Sequence, residues 1–338
     1  MTAEAGIRPL SKNMKTYEKY LEETGNVHLA YYVEAADILG IKYEILVKSL
    51  LAEFRDKNKV WHIINTATPL TTTTSTTICK RKNLTNIVLQ KHDIPVPIQK
   101  NLLNVDDAVS FFYSQKDIVI KPTQQLGGKG VAILPQTEQE VIDSYHIALS
   151  SSLSKTENKV IGEKFILGEN YRFLVLGDSV IGVARRKSAH VIGDGELNIL
   201  QLIERANEKR KKTLLKPIIV DKEVETKLSK DGISLETIPQ NGEEIILRYN
   251  CNLTTGGTTE ECADEVHDYY KQMAIKAVKV VGAKFGGVDI IAKNISKPDE
   301  MIINEINYNP GLRLHYKVDK GNIVKVAIPI MEYIRDNI

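Results

Sequence analysis

Three oxygen-bearing side chains near the end of the sequence have the right spacing to share a cation. Asp289 lies in the apolar stretch GGVDII, and Glu305 and Asn307 sit two residues apart in MIINEIN. Period two in an extended strand puts Glu305 and Asn307 on one face. A carboxylate beside an amide, opposite a second apolar strand bearing an aspartate, is costly unless a cation or a hydrogen-bond network satisfies it. An oxygen-only set this small suits Mg²⁺, which keeps few protein ligands and takes the rest from water and nucleotide phosphates. Side chains facing solvent at a sheet edge would give the same pattern.

Two further stretches could serve a nucleotide. Lys121 follows the apolar run IVI and precedes a turn containing Gly127, Gly128 and Gly130. A strand-borne lysine with a glycine loop can neutralise phosphate charge and offer backbone N–H donors, although a glycine-rich hairpin tip is equally a plain turn. It is not a Walker A loop, because Gly130 rather than Ser or Thr follows Lys129, and no GxGxxG occurs. P-loop and Rossmann readings are thereby disfavoured. Glu163 lies in VIGEKFIL, where a carboxylate and strand backbone could meet a flat adenine ring or simply belong to a structural strand.

Positioning these groups requires a sizeable core. The chain has 338 residues, 42% hydrophobic and 26% charged, which excludes a disordered polymer. Its length suits roughly two domains or one multi-lobed unit. Forty-five basic against 43 acidic residues leave a net charge of +2, so no global field favours nucleic acid or an acidic membrane. The basic run Lys209 to Lys212 reads as a solvated helix end favoured by the helix dipole. Cys79, Cys251 and Cys262 form no CxxC pair and are too few for a disulfide framework. With no apolar leader-like start and no run of eighteen apolar residues, a cytoplasmic protein without a membrane partner is expected.

Local patterns predict the supporting elements. Tyr31 to Leu39 has helical spacing closed by Gly40, and IKYEIL and VWHIINTAT read as strands. The threonine run from Thr71 to Ile78 reads as a loop or edge strand. A helix from Lys82 ends before Pro95, and VDDAVSFFYSQ gives another. KDIVIKPTQQLGGKGVAIL reads as a hairpin, and SSSLSKTENK as a polar hinge. Three strands joined by turns at Gly168 and Gly177 are expected after Val160. LNILQLIERANEKRKK is an amphipathic helix, and a long helix closed by Gly282 leads into the two late strands.

In order, these stretches resemble the ATP-grasp superfamily. The resemblance is carried by IVIKPTQQLGGKGVAI, VIGEKFILGENYRFLV, ARRKSAHVIGDGELNILQLI, LRYNCNLTTGGTTEECADEVHDYYKQMAIKA, GGVDII and INEINYNPGLRLH, from about Lys82 to His315. AHVIGDG and NLTTGG are more specific than any glycine loop. The match is to the carboxylate–amine ligase domain shared by cyanophycin synthetases and the glutathione-synthetase part of bifunctional glutathione enzymes.

The resemblance implies an α+β fold with ATP between two lobes, preceded by an α/β N-terminal region. The expected units are residues 1–80, a small lobe at 81–160 with the glycine lid, and a large lobe at 161–338. Lys82 and Lys121 would contact ATP phosphates, with Gly127, Gly128 and Gly130 as the lid. Glu163 and the backbone near Phe165 would form the adenine site, and Glu169 or Asn170 would face the ribose. Asp289, Glu305 and Asn307 would hold Mg²⁺ or Mn²⁺. Arg248 resembles a phosphate-binding arginine, while Arg186, Asn252, Thr255, Gly256 and Gly257 occupy the region expected to hold the acceptor or acyl phosphate. His190 and His315 read as structural.

The implied reaction joins an amino acid or peptide carboxylate to an amine through an acyl phosphate. A kinase on the same fold and a catalytically silent nucleotide-binding module are the competing readings. Gly287 stands where D-alanine–D-alanine ligases carry an arginine, which speaks against that substrate. The chain length suggests a stand-alone ligase without the further domains of the larger enzymes. NYNPGLRLH keeps Gly311, Arg313 and His315, which tilts recognition toward an acidic or peptide substrate. Homo-oligomers are common in the families resembled.

Overall fold

The computed structural model describes residues 15–125, 128–212 and 215–338. The chain opens with α1 (Tyr17–Thr24) and α2 (Val27–Leu39), followed by β1 (Lys42–Val47), β2 (Leu51–Asp56) and β3 (Lys59–Ile64), which form an antiparallel meander. Asn26 caps α2 by accepting the His28 and Leu29 N–H groups at 2.9 and 3.1 Å, and Gly40 ends it with φ of +70°. Helix α2 is apolar nearly all round and is buried accordingly.

Then come α3 (Thr73–Lys80), α4 (Lys82–Lys91), β4 (Gln99–Leu102), α5 (Val105–Gln115), β5 (Ile118–Pro122), β6 (Ala132–Ile133), α6 (Glu138–Ser151) and β7 (Val160–Lys164). The threonine run is therefore a helix rather than the expected loop or edge strand. Its start is decided by a capping box: Thr72 Oγ1 accepts the Ser75 N–H at 3.0 Å, and Ser75 Oγ accepts the Thr72 N–H at 2.9 Å. Strands β4, β7, β5 and β6 pair antiparallel in that order, with α5 and α6 packed on them around Phe111, Ile120, Val141 and Val160.

The remaining elements are β8 (Glu169–Leu176), β9 (Ser179–Lys187), β10 (His190–Ile192), α7 (Ile199–Lys212), α8 (Lys222–Lys230), β11 (Glu244–Ile246), β12 (Thr258–Glu261), α9 (Asp268–Val280), β13 (Phe285–Ala292), β14 (Met301–Asn307), α10 (Arg313–Tyr316) and α11 (Ala327–Asn337). A five-stranded antiparallel sheet runs β12-β9-β8-β13-β14. Helix α9 covers one of its faces, and α3 and α4 add Cys79 and Leu89 to the same core. Helices α2 and α11 share a second core with Leu174, Leu176 and Phe285, so the N-terminal elements are packed onto the large sheet. Between β9 and β12, the paired strands β10 and β11 with α7 and α8 enclose a small core of their own.

The expected run of three successive strands is divided between two sheets. Gly177, at φ +56°, makes the hairpin from β8 to β9. Gly168 instead lies in the crossover from β7 to β8, where a Cβ would come within 2.8 Å of the Ile291 side chain and 3.1 Å of the Ala292 carbonyl oxygen. That close passage brings the edges of the two sheets to opposite sides of one cleft. No helix among the described residues is long and apolar enough to cross a membrane.

Candidate active site

The cleft between the two sheets has a volume of about 610 Å³ and is lined from both sides. On the small-sheet side, Lys121 pairs in register with Ile161 and Glu163 with Val119, which makes Lys121 and Glu163 diagonal neighbours on one face. Both are buried and form an ion pair, and Gln99 Nε2 donates to Glu163 Oε1 at 2.7 Å. Lys121 and Glu163 thus reach the cleft already matched in charge. Phe165 follows directly, its ring meeting Tyr249 edge-on at 6.5 Å and its N–H donated to the Asp117 carbonyl. Glu169 and Asn170 also line the cleft, with Glu169 held by the Tyr171 hydroxyl and by Arg185 at 3.3 Å.

Of the lid glycines, Gly127 lies outside the described residues. Gly128 and Gly130 have φ of +77° and +74°, a left-handed backbone that other residues rarely adopt. A Cβ on Gly128 would approach Asn252 Nδ2 at 3.4 Å, so the lid loop reaches the NLTTGG segment.

The large sheet brings Asp289, Glu305 and Asn307 together. Asp289 on β13 pairs with Glu305 on β14, and Gly287 pairs with Asn307, so the three side chains share a face. Asp289 is only 2% exposed. Arg172, its partner on β8, donates from Nε and, at 3.0 Å, from Nη2. Arg186 on β9 adds a third bond, Nη2 to Oδ2 at 2.9 Å. Burial alone would push the Asp289 carboxyl up, but the two guanidinium charges outweigh it and hold the group below the usual carboxylate range. Lys82, at the start of α4, reaches Glu305 at 3.4 Å.

Two carboxylates in register with an amide form a hard oxygen set of the kind Mg²⁺ accepts. Asn307 Nδ2 donates to the Gly287 carbonyl at 3.5 Å, leaving its oxygen as the end that can ligate. Among the described residues no group of three or more His, Cys, Asp or Glu could hold a metal alone. Three cations, Lys82, Arg172 and Arg186, surround the two carboxylates. The residues fit a cation that arrives with additional negative charge, as nucleotide phosphates would provide.

Arg248 reaches the cleft wall, but its guanidinium faces the small unit behind it. The side chain is 1% exposed and bonds Glu223 at 2.8 Å, Asp221 at 3.0 Å and the Ile219 carbonyl at 2.7 Å. Asn252 lines the cleft, while Thr255 and Gly256 form the short turn beyond it. At Gly256, φ is +102° and a Cβ would meet Ile218 Cα at 2.7 Å; at Gly257 it would meet two carbonyl oxygens at 2.9 Å. His315 is fully buried, with Nδ1 3.2 Å from Glu261, and His190 bonds the Ser188 carbonyl at 2.9 Å. Cys251 lines the cleft, but burial pushes its thiol up, which disfavours a thiolate nucleophile.

The RimK-like ATP-grasp domain model matches residues 198–334. The glutathione biosynthesis bifunctional protein GshAB of Clostridium perfringens is 35% identical over 265 residues, covering 75% of this chain and 34% of the relative. The cyanophycin synthetase of Crocosphaera subtropica is 33% identical over 261 residues, covering 74% and 30%. A bifunctional glutathione synthetase from Pasteurella multocida superimposes with a TM-score of 0.65 at 25% identity, covering 93% of this chain and 44% of that one. This chain belongs to the ATP-grasp superfamily. It spans about a third of the length of the curated relatives it matches.

Within the ATP-grasp cleft, the residue that sequence reasoning missed is Arg172. Its signal was a charged residue in the otherwise apolar strand FLVL region, ENYRFLVL, directly across from the metal-strand aspartate. Only the cross-strand register reveals that pairing.

Proposed function

We propose that this ATP-grasp chain is an ATP- and Mg²⁺-dependent ligase that joins an amino acid or peptide carboxylate to an amine, releasing ADP and phosphate. The observation that carries this reading is one cleft uniting Lys82, Lys121, Arg172 and Arg186 with the Asp289, Glu305 and Asn307 face. The names of the relatives, glutathione biosynthesis protein and cyanophycin synthetase, support the same class of reaction.

In this reading a substrate carboxylate oxygen attacks the γ-phosphorus of ATP, the bond to ADP breaks, and an acyl phosphate forms. The amine nitrogen then attacks the acyl carbon, phosphate leaves, and the amine loses a proton. Lys82 and Lys121 would balance phosphate charge, and Arg186 would stabilise charge developing on the transferring group. Asp289, Glu305 and Asn307 would hold Mg²⁺, which supplies Lewis-acid neutralisation of the phosphate oxygens. Glu163 and Phe165 form the wall assigned to adenine, with Glu169 or Asn170 toward the ribose. Asn252 lines the wall assigned to acyl phosphate and acceptor, and Thr255, Gly256 and Gly257 form the turn behind it. The Gly128 and Gly130 loop would exclude water that would hydrolyse the acyl phosphate. No side-chain nucleophile is needed.

The test is ADP release with Mg²⁺ across pooled amino acids and dipeptides, with products read by mass spectrometry. Stimulated ADP release with a product lighter than its two substrates by one water is expected. A phosphoester product would instead make the chain a kinase, and nucleotide binding without any ADP release would make it a silent module.

A further inference from the structure

The two guanidinium groups on Asp289 differ in how firmly they are held. A carboxylate offers about four lone-pair sites, two on each oxygen. Arg172 takes one on each: its Nε donates to Oδ1, and its Nη2 to Oδ2 at 3.0 Å. Arg186 Nη2 takes the second site on Oδ2 at 2.9 Å, which fills that oxygen. Arg172 is 8% exposed, and its stem is wedged beside Gly287, where a Cβ would come within 3.0 Å of Arg172 Cδ and 2.9 Å of Pro310 Cβ. Two bonds and that close fit keep Arg172 in place.

Arg186 is held by far less. Its side chain makes this one hydrogen bond among the described residues, and its Nε is buried without a partner there. It lines the cleft from β9, between Asn170 of β8 and Thr259 of β12. Breaking a single bond therefore frees the guanidinium and opens a site on Oδ2, while the two Arg172 bonds still orient the carboxylate. Charge points the same way. With Lys82 on Glu305, three cations already outnumber the two carboxylates. A divalent cation arriving alone would add to that surplus, whereas one arriving on nucleotide phosphates brings the anions that a released guanidinium needs.

We propose that Arg186 exchanges partners: it holds Asp289 Oδ2 against free divalent cations and passes to the phosphates when a metal–nucleotide complex enters the cleft. The exchange deepens the ligase reading and rests on it, since it takes Asp289, Glu305 and Asn307 as the metal face. It gives one side chain the coupling between the two ligands, so that metal and nucleotide each raise the affinity for the other.

The test uses the full chain with two probes: Mn²⁺ alone, followed by electron paramagnetic resonance of the free ion, and Mn²⁺–ADP, followed by calorimetry. A neutral side chain at this position should move the two affinities in opposite directions. In Arg186→Met and Arg186→Gln, Mn²⁺ alone should bind about tenfold tighter than in the wild type, and Mn²⁺–ADP about tenfold weaker. Arg186→Lys keeps the charge and should stay near the wild type toward Mn²⁺ alone. Adding Glu305→Gln to Arg186→Met should remove the gained affinity, which locates it at the metal face; a gain that survives overturns the assignment. Melting temperatures are compared throughout. An arginine with a merely structural role would lower both affinities together, and that result overturns the exchange, as does equal Mn²⁺ affinity in the wild type and both neutral variants. Mn²⁺–ADP binding to the wild type without the opposite shifts sinks the exchange alone. Absence of Mn²⁺–ADP binding to every protein sinks the metal face of the ligase reading and the exchange with it.

Discussion

On the inner walls of the cleft, Arg172 and Arg186 close on Asp289, and Lys121 closes on Glu163. In a small recess lined by Lys216, Leu253, Thr254, Arg313, Lys317 and Asp319, the Arg313 and Lys317 side chains form no ion pair with another described residue. The difference follows burial. Asp289 and Glu163 are almost fully buried, where an unpaired charge would cost several kcal/mol, so the fold must match them internally. Arg313 and Lys317 keep partial access to water, which solvates their charges without an internal partner. Charges on the first face are therefore held by the fold itself, whereas those in the recess are held by water.

Substitution at the matched face should show that internal pairing most strongly. Asp289→Asn leaves two guanidinium groups without their carboxylate and should lose roughly 3–5 kcal/mol of unfolding free energy in a denaturant titration, together with turnover. Glu305→Gln, at a partly exposed pair with Lys82, should abolish turnover while shifting stability by less than about 1 kcal/mol. Equal stability losses in the two variants would erase the distinction between them.

Next in size is a contrast between two arginines. Arg186→Met should weaken catalysis by roughly 10²-fold, because its guanidinium lies in the cleft on Asp289. Arg248→Met should mainly destabilise the unit around α8, by about 1–3 kcal/mol, because its partners are Glu223 and Asp221. A larger effect of Arg248→Met on ATP affinity than on unfolding would restore the phosphate contact expected from sequence.

Acid titration offers a smaller but cleaner reading. The folded Asp289 carboxyl lies below its ordinary value of 3.8, so its contribution to stability is complete above that value and is lost as pH falls through the lower folded one. The stability gap between wild type and Asp289→Asn should stay constant near neutrality and narrow only below about pH 4. Smallest of all is the slope from His28, whose Nδ1 accepts the Leu312 N–H at 3.3 Å and whose pKa is lowered by burial and then by Arg313. Below pH 6.5 the unfolded state gains a proton that the folded state resists, so stability should fall on acidification there, and His28→Gln should flatten that slope.

The shared placement of several charged side chains in the cleft was legible because it is written in local periodicity. Glu305 and Asn307 are two apart on one strand, and Lys121 stands directly beside its glycine loop. Arg172 was not legible, since its partner is 117 residues away and the two meet only through strand register. The same holds for Arg248, whose guanidinium direction depends on Asp221 and Glu223 at the start of α8. The threonine run misled for a different reason: β-branched residues favour strands in general, but the Thr72 and Ser75 capping box satisfies the helix start locally and wins.

The most direct measurement follows oxygen. With the substrates named by the ADP-release panel, a carboxylate substrate labelled with ¹⁸O is turned over and the released phosphate is analysed by mass spectrometry. One ¹⁸O transferred to phosphate, in step with amide formation, is the result expected for an acyl phosphate formed in this cleft. Unlabelled phosphate accompanying the amide would contradict it.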